Sequence, residues 1–221
     1  MGGVLPDLTK PVILASDNPQ RCIRTRVRSA ILTQCILTAP SDQKTLEYKD
    51  PSDNKEIDMT LLHPGETFPS LALNPTDGTV LELPDALAGH FGVVLFYRGA
   101  WCPYCNAQLR AFQRAADSLA EVDARVVALS VDDEATTAEL VAKHGLTFPV
   151  GHSADAQAVA EATGAFVNPE PTFLQSTGFV LDPTGKVVVS VYSSGAIGRL
   201  VPEDVIGMIR YIRGQAPANS A

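Results

Sequence analysis

A Cys-x-x-Cys pair stands at one particular junction, and that junction limits what the rest of the chain can be. The apolar run Gly92-Val93-Val94-Leu95-Phe96-Tyr97 leads into Arg98-Gly99-Ala100-Trp101-Cys102-Pro103-Tyr104-Cys105-Asn106. Leu109, Phe112, Ala116 and Leu119 then recur at helical spacing. The pattern predicts a buried strand, a short loop holding Cys102, and a helix from about Pro103 to Leu119. A thiol at a helix N-terminus lies near unpaired N–H groups and the positive end of the helix dipole, both of which favour the thiolate. Two sulfurs at this spacing close a disulfide with little backbone movement. The expectation is a redox site.

Composition narrows the classes of function. Hydrophobic residues make up 45% and charged residues 19%, which supports a large core. The formal net charge is −8 and the pI about 4.9. Residues 1–58 carry eight Lys/Arg and eight Asp/Glu, so the whole acidic excess falls after them. Such a surface repels phosphate backbones, and no nucleic-acid partner is expected. Four cysteines are too few for a disulfide scaffold, no apolar run is long enough to span a bilayer, and a reducing cytoplasmic setting is expected. A structural metal would need further ligands that no second Cys-x-x-Cys or paired His supplies; neither metal nor cofactor is expected.

Taken in order, residues 1–58 read as a weakly structured extension, punctuated by Pro6, Pro11, Pro19, Pro40 and Pro51. Arg21, Arg24, Arg26 and Arg28 before Ala30–Leu37 faintly resemble a signal peptide, but Thr33-Gln34 breaks an already short apolar stretch. Met59 is an alternative natural start. A redox domain is expected over 59–214, with a tail at 215–221. Strands are predicted at Phe68–Leu73, Thr79–Leu83, Gly92–Tyr97, Arg125–Val131 and Leu146–Val150, and one helical turn at Asp85–Gly89. Helices are predicted after Asp132-Asp133-Glu134 and over Ala154–Thr163, each closed by glycine. A hairpin turns at Asp182-Pro183-Thr184-Gly185, and Pro202 opens a last helix through Ile212. Parallel strands first and a hairpin last imply an α/β fold, a mixed central sheet with helices on both faces and its site at the carboxyl end of a central strand.

That order, with Trp101-Cys102-Pro103-Tyr104-Cys105, resembles the thioredoxin fold. Pro64-Gly65-Glu66-Thr67-Phe68-Pro69, Phe96-Tyr97, Phe148-Pro149-Val150 and Phe179-Val180-Leu181-Asp182 narrow the resemblance to its peroxiredoxin-like branch, the alkyl hydroperoxide reductase and thiol-specific antioxidant family. The resemblance covers about residues 61–213. It implies a thiol-dependent oxidoreductase that reduces a hydroperoxide or an oxidised thiol, with re-reduction by an external thiol system such as thioredoxin. Many members dimerise, which makes a homodimer the suggested assembly.

The family register places Cys105 on the peroxidatic position, Cys102 where a Thr is usual, Arg98 where a Pro is usual, and Ser176 where a later strand usually supplies an Arg. A thioredoxin-like reductase would instead attack with Cys102 and resolve with Cys105. Both orders stay open, with Arg98, Trp101, Pro103, Tyr104 and Ser176 as supporting residues. A disulfide reductase without peroxidase activity, or a redox-responsive or Cu(I)-handling module without turnover, are the alternatives.

Overall fold

The computed structural model describes residues 61–215. The extension over 1–58, the Met59 start and the tail beyond Gln215 lie outside the described residues.

Strand β3 (Phe91–Phe96) is the axis of the molecule, with all six residues buried. It pairs in parallel with β4 (Ala124–Leu129) on one side and antiparallel with β8 (Thr177–Leu181) on the other. Strand β5 (Val150–Gly151) extends the sheet beyond β4, and β9 (Val187–Tyr192) beyond β8, giving the order β5-β4-β3-β8-β9. This is the expected mixed sheet. Continuously apolar strands require cover on both faces, and the period-two alternation divides β3 between two cores. Val93, Leu95 and Tyr97 pack with α1 (Pro103–Arg114), α2 (Ala116–Glu121), α3 (Glu134–His144) and α5 (Pro202–Gln215). Val94 and Phe96 pack with α4 (Ala156–Thr163) and with the small hairpin β1 (Leu71–Leu73) and β2 (Leu81–Leu83).

Local chemistry sets the helix ends. Asp133 accepts the Thr136 N–H to start α3, and Asp155 accepts those of Gln157 and Ala158 to start α4. Gly145 and Gly164 close these helices in the left-handed region.

Several elements differ from expectation. The helix from Pro103 to Leu119 is two helices, bent where Ala115 takes φ −91° and ψ 9°, yet Leu119 still reaches the same core. The strand expected over Leu146–Val150 is only Val150–Gly151, because its pairing with β4 is confined to Ala128 and Leu129. Helix α5 runs through Gln215, one residue into the expected tail. A hairpin absent from the sequence reading, β6 (Val167–Pro169) with β7 (Thr172–Leu174), lies between α4 and β8.

Candidate active site

The cysteine loop leaves the carboxyl end of β3. Tyr97 adds one more ladder hydrogen bond, to the Leu129 carbonyl, before the chain turns through Gly99 at φ 149°. A side chain is strained there, and a Cβ would also collide with the Trp101 indole. Both peptide groups of Ala100 are fixed. Its N–H donates to the Asp132 carboxylate at 2.8 Å, and its carbonyl accepts from the Asn106 amide at 2.9 Å. Ser130 donates its hydroxyl to the same carboxylate at 3.1 Å. Asp132 therefore ties the loop to the end of β4, leaving Asp133 to cap α3. Pro103 occupies the first turn of α1, where no N–H is required.

Cys102 is the N-cap of α1. Its sulfur accepts the Cys105 backbone N–H at 3.4 Å and the Cys105 thiol at 2.8 Å. Both thiols are free, and both residues are fully covered. The sulfurs lie within van der Waals contact, so a small rotation closes the disulfide. The two thiols are inequivalent. Burial pushes Cys102 up, but the Cys105 thiol and N–H, with Arg199 and Arg98 nearby, together hold it below the ordinary thiol range. Burial pushes Cys105 up, and its role as donor to Cys102 reinforces that; the Arg98 N–H and Arg199 oppose it without reversing it.

Two guanidinium groups flank the pair. Arg98 donates its backbone N–H to the Cys105 sulfur at 3.4 Å. Its side chain lies 4.8 Å from the Trp101 ring and 4.9 Å from the Phe173 ring, which meet edge to face at 5.2 Å. Arg199 comes from the segment between β9 and α5. It is anchored by the carbonyls of Ala196 and Ile197, while its Nη1 is buried with no partner. Tyr104 is exposed and, with Gln108, Arg199, Leu200 and Pro202, borders a mostly apolar cavity of about 240 Å³.

Cys102, Cys105, Arg98, Trp101, Pro103 and Tyr104 thus come together on one loop and helix end. Ser176 is buried and makes no hydrogen bond to either sulfur; its carbonyl accepts the Ser193 N–H. Arg199, Asp132 and Phe173 were missed by the sequence reading. A lone arginine directly after the run Ser193-Ser194-Gly195-Ala196-Ile197-Gly198 was the one available signal for Arg199. Among the described residues no cluster of three or more His, Cys, Asp or Glu could hold a metal ion, and no helix is long and apolar enough to cross a membrane.

Residues 64–190 match the AhpC/TSA family. A peroxiredoxin of Methanothermobacter thermautotrophicus is 32% identical over 155 residues, covering 67% of this chain and 72% of that protein. The thiol-disulfide oxidoreductase ResA of Bacillus anthracis is 28% identical over 149 residues, covering 67% and 78%. Among solved structures, peroxidoxin BcpB of Mycobacterium tuberculosis superposes with a TM-score of 0.60 at 23% identity, over 69% of this chain and 99% of that one. AhpC of the same organism superposes with 0.59 at 21%, over 72% and 98%. These structures share the thioredoxin-like fold.

Proposed function

The chain belongs to the AhpC/TSA family of thiol-dependent oxidoreductases, and we propose that it reduces hydroperoxides by cycling Cys102 and Cys105 between dithiol and disulfide. The observation that carries this reading is the pair itself: two free sulfurs 2.8 Å apart at the N-terminus of α1, with Cys102 accepting both donors. The Cys102 thiolate attacks the terminal oxygen of the hydroperoxide, an S–O bond forms as the O–O bond breaks, and the departing alkoxide takes a proton and leaves as the alcohol. Arg98 and Arg199 supply positive charge where negative charge develops, in a site the sheet and α1 screen from water. Cys105 then attacks the Cys102 sulfenic acid, expelling water and forming the disulfide. Two external thiol groups restore the dithiol and become a disulfide themselves.

Complete burial of both sulfurs favours a small substrate. Attack on a protein disulfide needs three sulfurs in line, which a covered thiol does not offer without opening the loop. A second order of attack also has an observation behind it, since the Arg98 N–H and Arg199 both serve Cys105, the residue on the family's peroxidatic position. Separate Cys105→Ser and Cys102→Ser proteins, treated with one equivalent of hydrogen peroxide and a sulfenic-acid trap, distinguish the two. Trapped sulfenic acid on Cys102 in the Cys105→Ser protein is expected. Adduct confined to Cys105 would reverse the order, and no peroxide consumption by either variant or by the parent would refute the peroxidase reading.

We further assign residues 59–214 as the redox unit, with a cytoplasmic setting, an external thiol reductant of the thioredoxin kind or smaller, and a homodimer as the assembly. The family match over residues 64–190 falls inside that unit, and membership of a family that uses thioredoxin-type reductants and is often oligomeric supports the reductant and the assembly.

A further inference from the structure

The cationic groups beside the sulfurs have no carboxylate of their own among the described residues. Ion pairs there join His90 and Arg213 to Asp123 and Arg210 to Glu121, and neither Arg98 nor Arg199 takes part in one. This occurs in a chain whose acids outnumber its bases 25 to 17. Arg199 is committed to the Ala196 and Ile197 carbonyls and to the Cys105 sulfur, with only its buried Nη1 left over. Arg98 is different. Its Nε is buried without a partner, the residue as a whole is only half-buried, and its terminal nitrogens make no hydrogen bond among the described residues. The guanidinium is held by the Trp101 and Phe173 rings, so its conformational freedom is already spent and its donor edge is left available. A planar, oriented, unpaired guanidinium is suited to a carboxylate, which it can bind through two parallel hydrogen bonds. Trp101, 57% exposed and adjacent to Cys102, offers an apolar surface beside it.

From these contacts we infer that Arg98 is the docking group for the carboxylate of a small-molecule thiol, and that this thiol reduces the Cys102–Cys105 disulfide. The inference rests on the dithiol cycle proposed above. Docking through the carboxylate brings the thiolate to the disulfide. It attacks one cysteine sulfur and releases the other as a thiolate, leaving a mixed disulfide; a second thiol molecule then attacks the small-molecule sulfur of that mixed disulfide and releases the remaining cysteine as a thiolate. Two small thiols lose two electrons and become one disulfide, and their protons return to the protein pair and solvent. The small size of the reductant suits sulfurs that are fully covered.

The test isolates the reductive half. The full chain is oxidised with diamide, so the disulfide forms without peroxide. Its reduction is followed by the fluorescence of Trp101, the chain's one tryptophan, and by thiol alkylation and mass. The probes are 3-mercaptopropionate, 2-mercaptoethanol and cysteamine at equal thiolate concentrations. Mercaptopropionate should reduce fastest and cysteamine slowest, with about a tenfold gap between the anionic and neutral thiols for one charge-assisted contact. Arg98→Gln should collapse the gap to about twofold, while Arg98→Lys keeps part of it, and raised salt should narrow it in the parent. Using the ratio between thiols removes any general effect of Arg98 on the cysteines. Equal rates for the three thiols, or a gap that survives Arg98→Gln, overturn the inference and leave the dithiol cycle standing. Failure of diamide to form the disulfide overturns both.

Discussion

Cys102 and Cys105 are separated by two residues and lie in the same buried environment, yet hydrogen bonding divides their chemistry. The direction of each shift fixes its pH dependence. The fold favours the Cys102 thiolate, so its contribution to stability is present above the unfolded thiol pKa and is lost as pH falls through the lower folded one. Cys105 behaves oppositely: its contribution is present below the unfolded pKa and is lost as pH rises through the higher folded one. Alkylation by iodoacetamide against pH should therefore show a midpoint below 9 for Cys102 in the Cys105→Ser protein, where the reference thiol is 9.0. The midpoint for Cys105 in the Cys102→Ser protein should lie above it; the reverse order would show that burial outweighs the N-cap. Beneath the pair, Tyr97 is pushed up to about 12, chiefly by burial. Ser130 and Thr137 offset part of that, although the Tyr97 hydroxyl meets no partner in hydrogen-bond geometry. Its contribution is complete below pH 10 and is lost as pH rises towards 12, about 3 kcal/mol over the window. Tyr97→Phe should change stability at pH 8 by no more than about 1 kcal/mol, having removed an unsatisfied polar group. Its urea midpoint should fall less between pH 8 and 11 than the parent's.

At the level of elements, the site is a loop held from three directions: β4 through Asp132, α1 through Asn106, and β6–β7 through Phe173. Asp132→Ala removes the acceptor of two hydrogen bonds and should cost about 1–3 kcal/mol while shifting the Trp101 emission. Phe173→Ala should cost about 3 kcal/mol or more, since Phe173 is 5% exposed, and should free both Trp101 and Arg98. Unchanged emission in both variants would mean that Trp101 is held by neither. The contrast between these elements shows what was readable. The β3–α1 junction and the β8–β9 hairpin carry local signals: a continuous apolar run, a proline at the helix start, and Asp182 accepting the Thr184 and Lys186 N–H groups in its turn. Hairpin β6–β7 has only three residues per strand, punctuated by Pro169 and Pro171, and Phe173 gains its meaning from Trp101, far away in sequence. Arg199 was illegible for the same reason: its role depends on which loop end folds back onto α1. Ser176, placed by register alone, contributes backbone pairing instead.

Across the whole molecule, two parallel strands deliver the parts of the site that must be fixed, and the later segments deliver those that tune it. The ends of β3 and β4 provide the cysteine loop and Ser130–Asp132; β6–β7 and the turn before α5 bring Phe173 and Arg199 against them. The described part of the chain is closed by Leu62. Its N–H donates to the Tyr192 hydroxyl at 2.8 Å and its carbonyl accepts from Ser190 at 2.7 Å, while Tyr192 donates onward to the Thr163 carbonyl at 2.6 Å. That stitch joins the start of the redox unit to β9 and to the end of α4, and it makes the proposed boundary at Met59 testable by two truncations. A chain of residues 59–221 keeps the stitch and should melt within a few degrees of the full chain and still form the Cys102–Cys105 disulfide with diamide. A chain of residues 65–221 loses Leu62 and both of its hydrogen bonds, about 1–3 kcal/mol. For a unit of this size that corresponds to a melting temperature lower by roughly 3–10 °C. If the 59–221 chain instead melts far below the full chain or fails to oxidise, the redox unit extends upstream of Met59 and the boundary is misplaced.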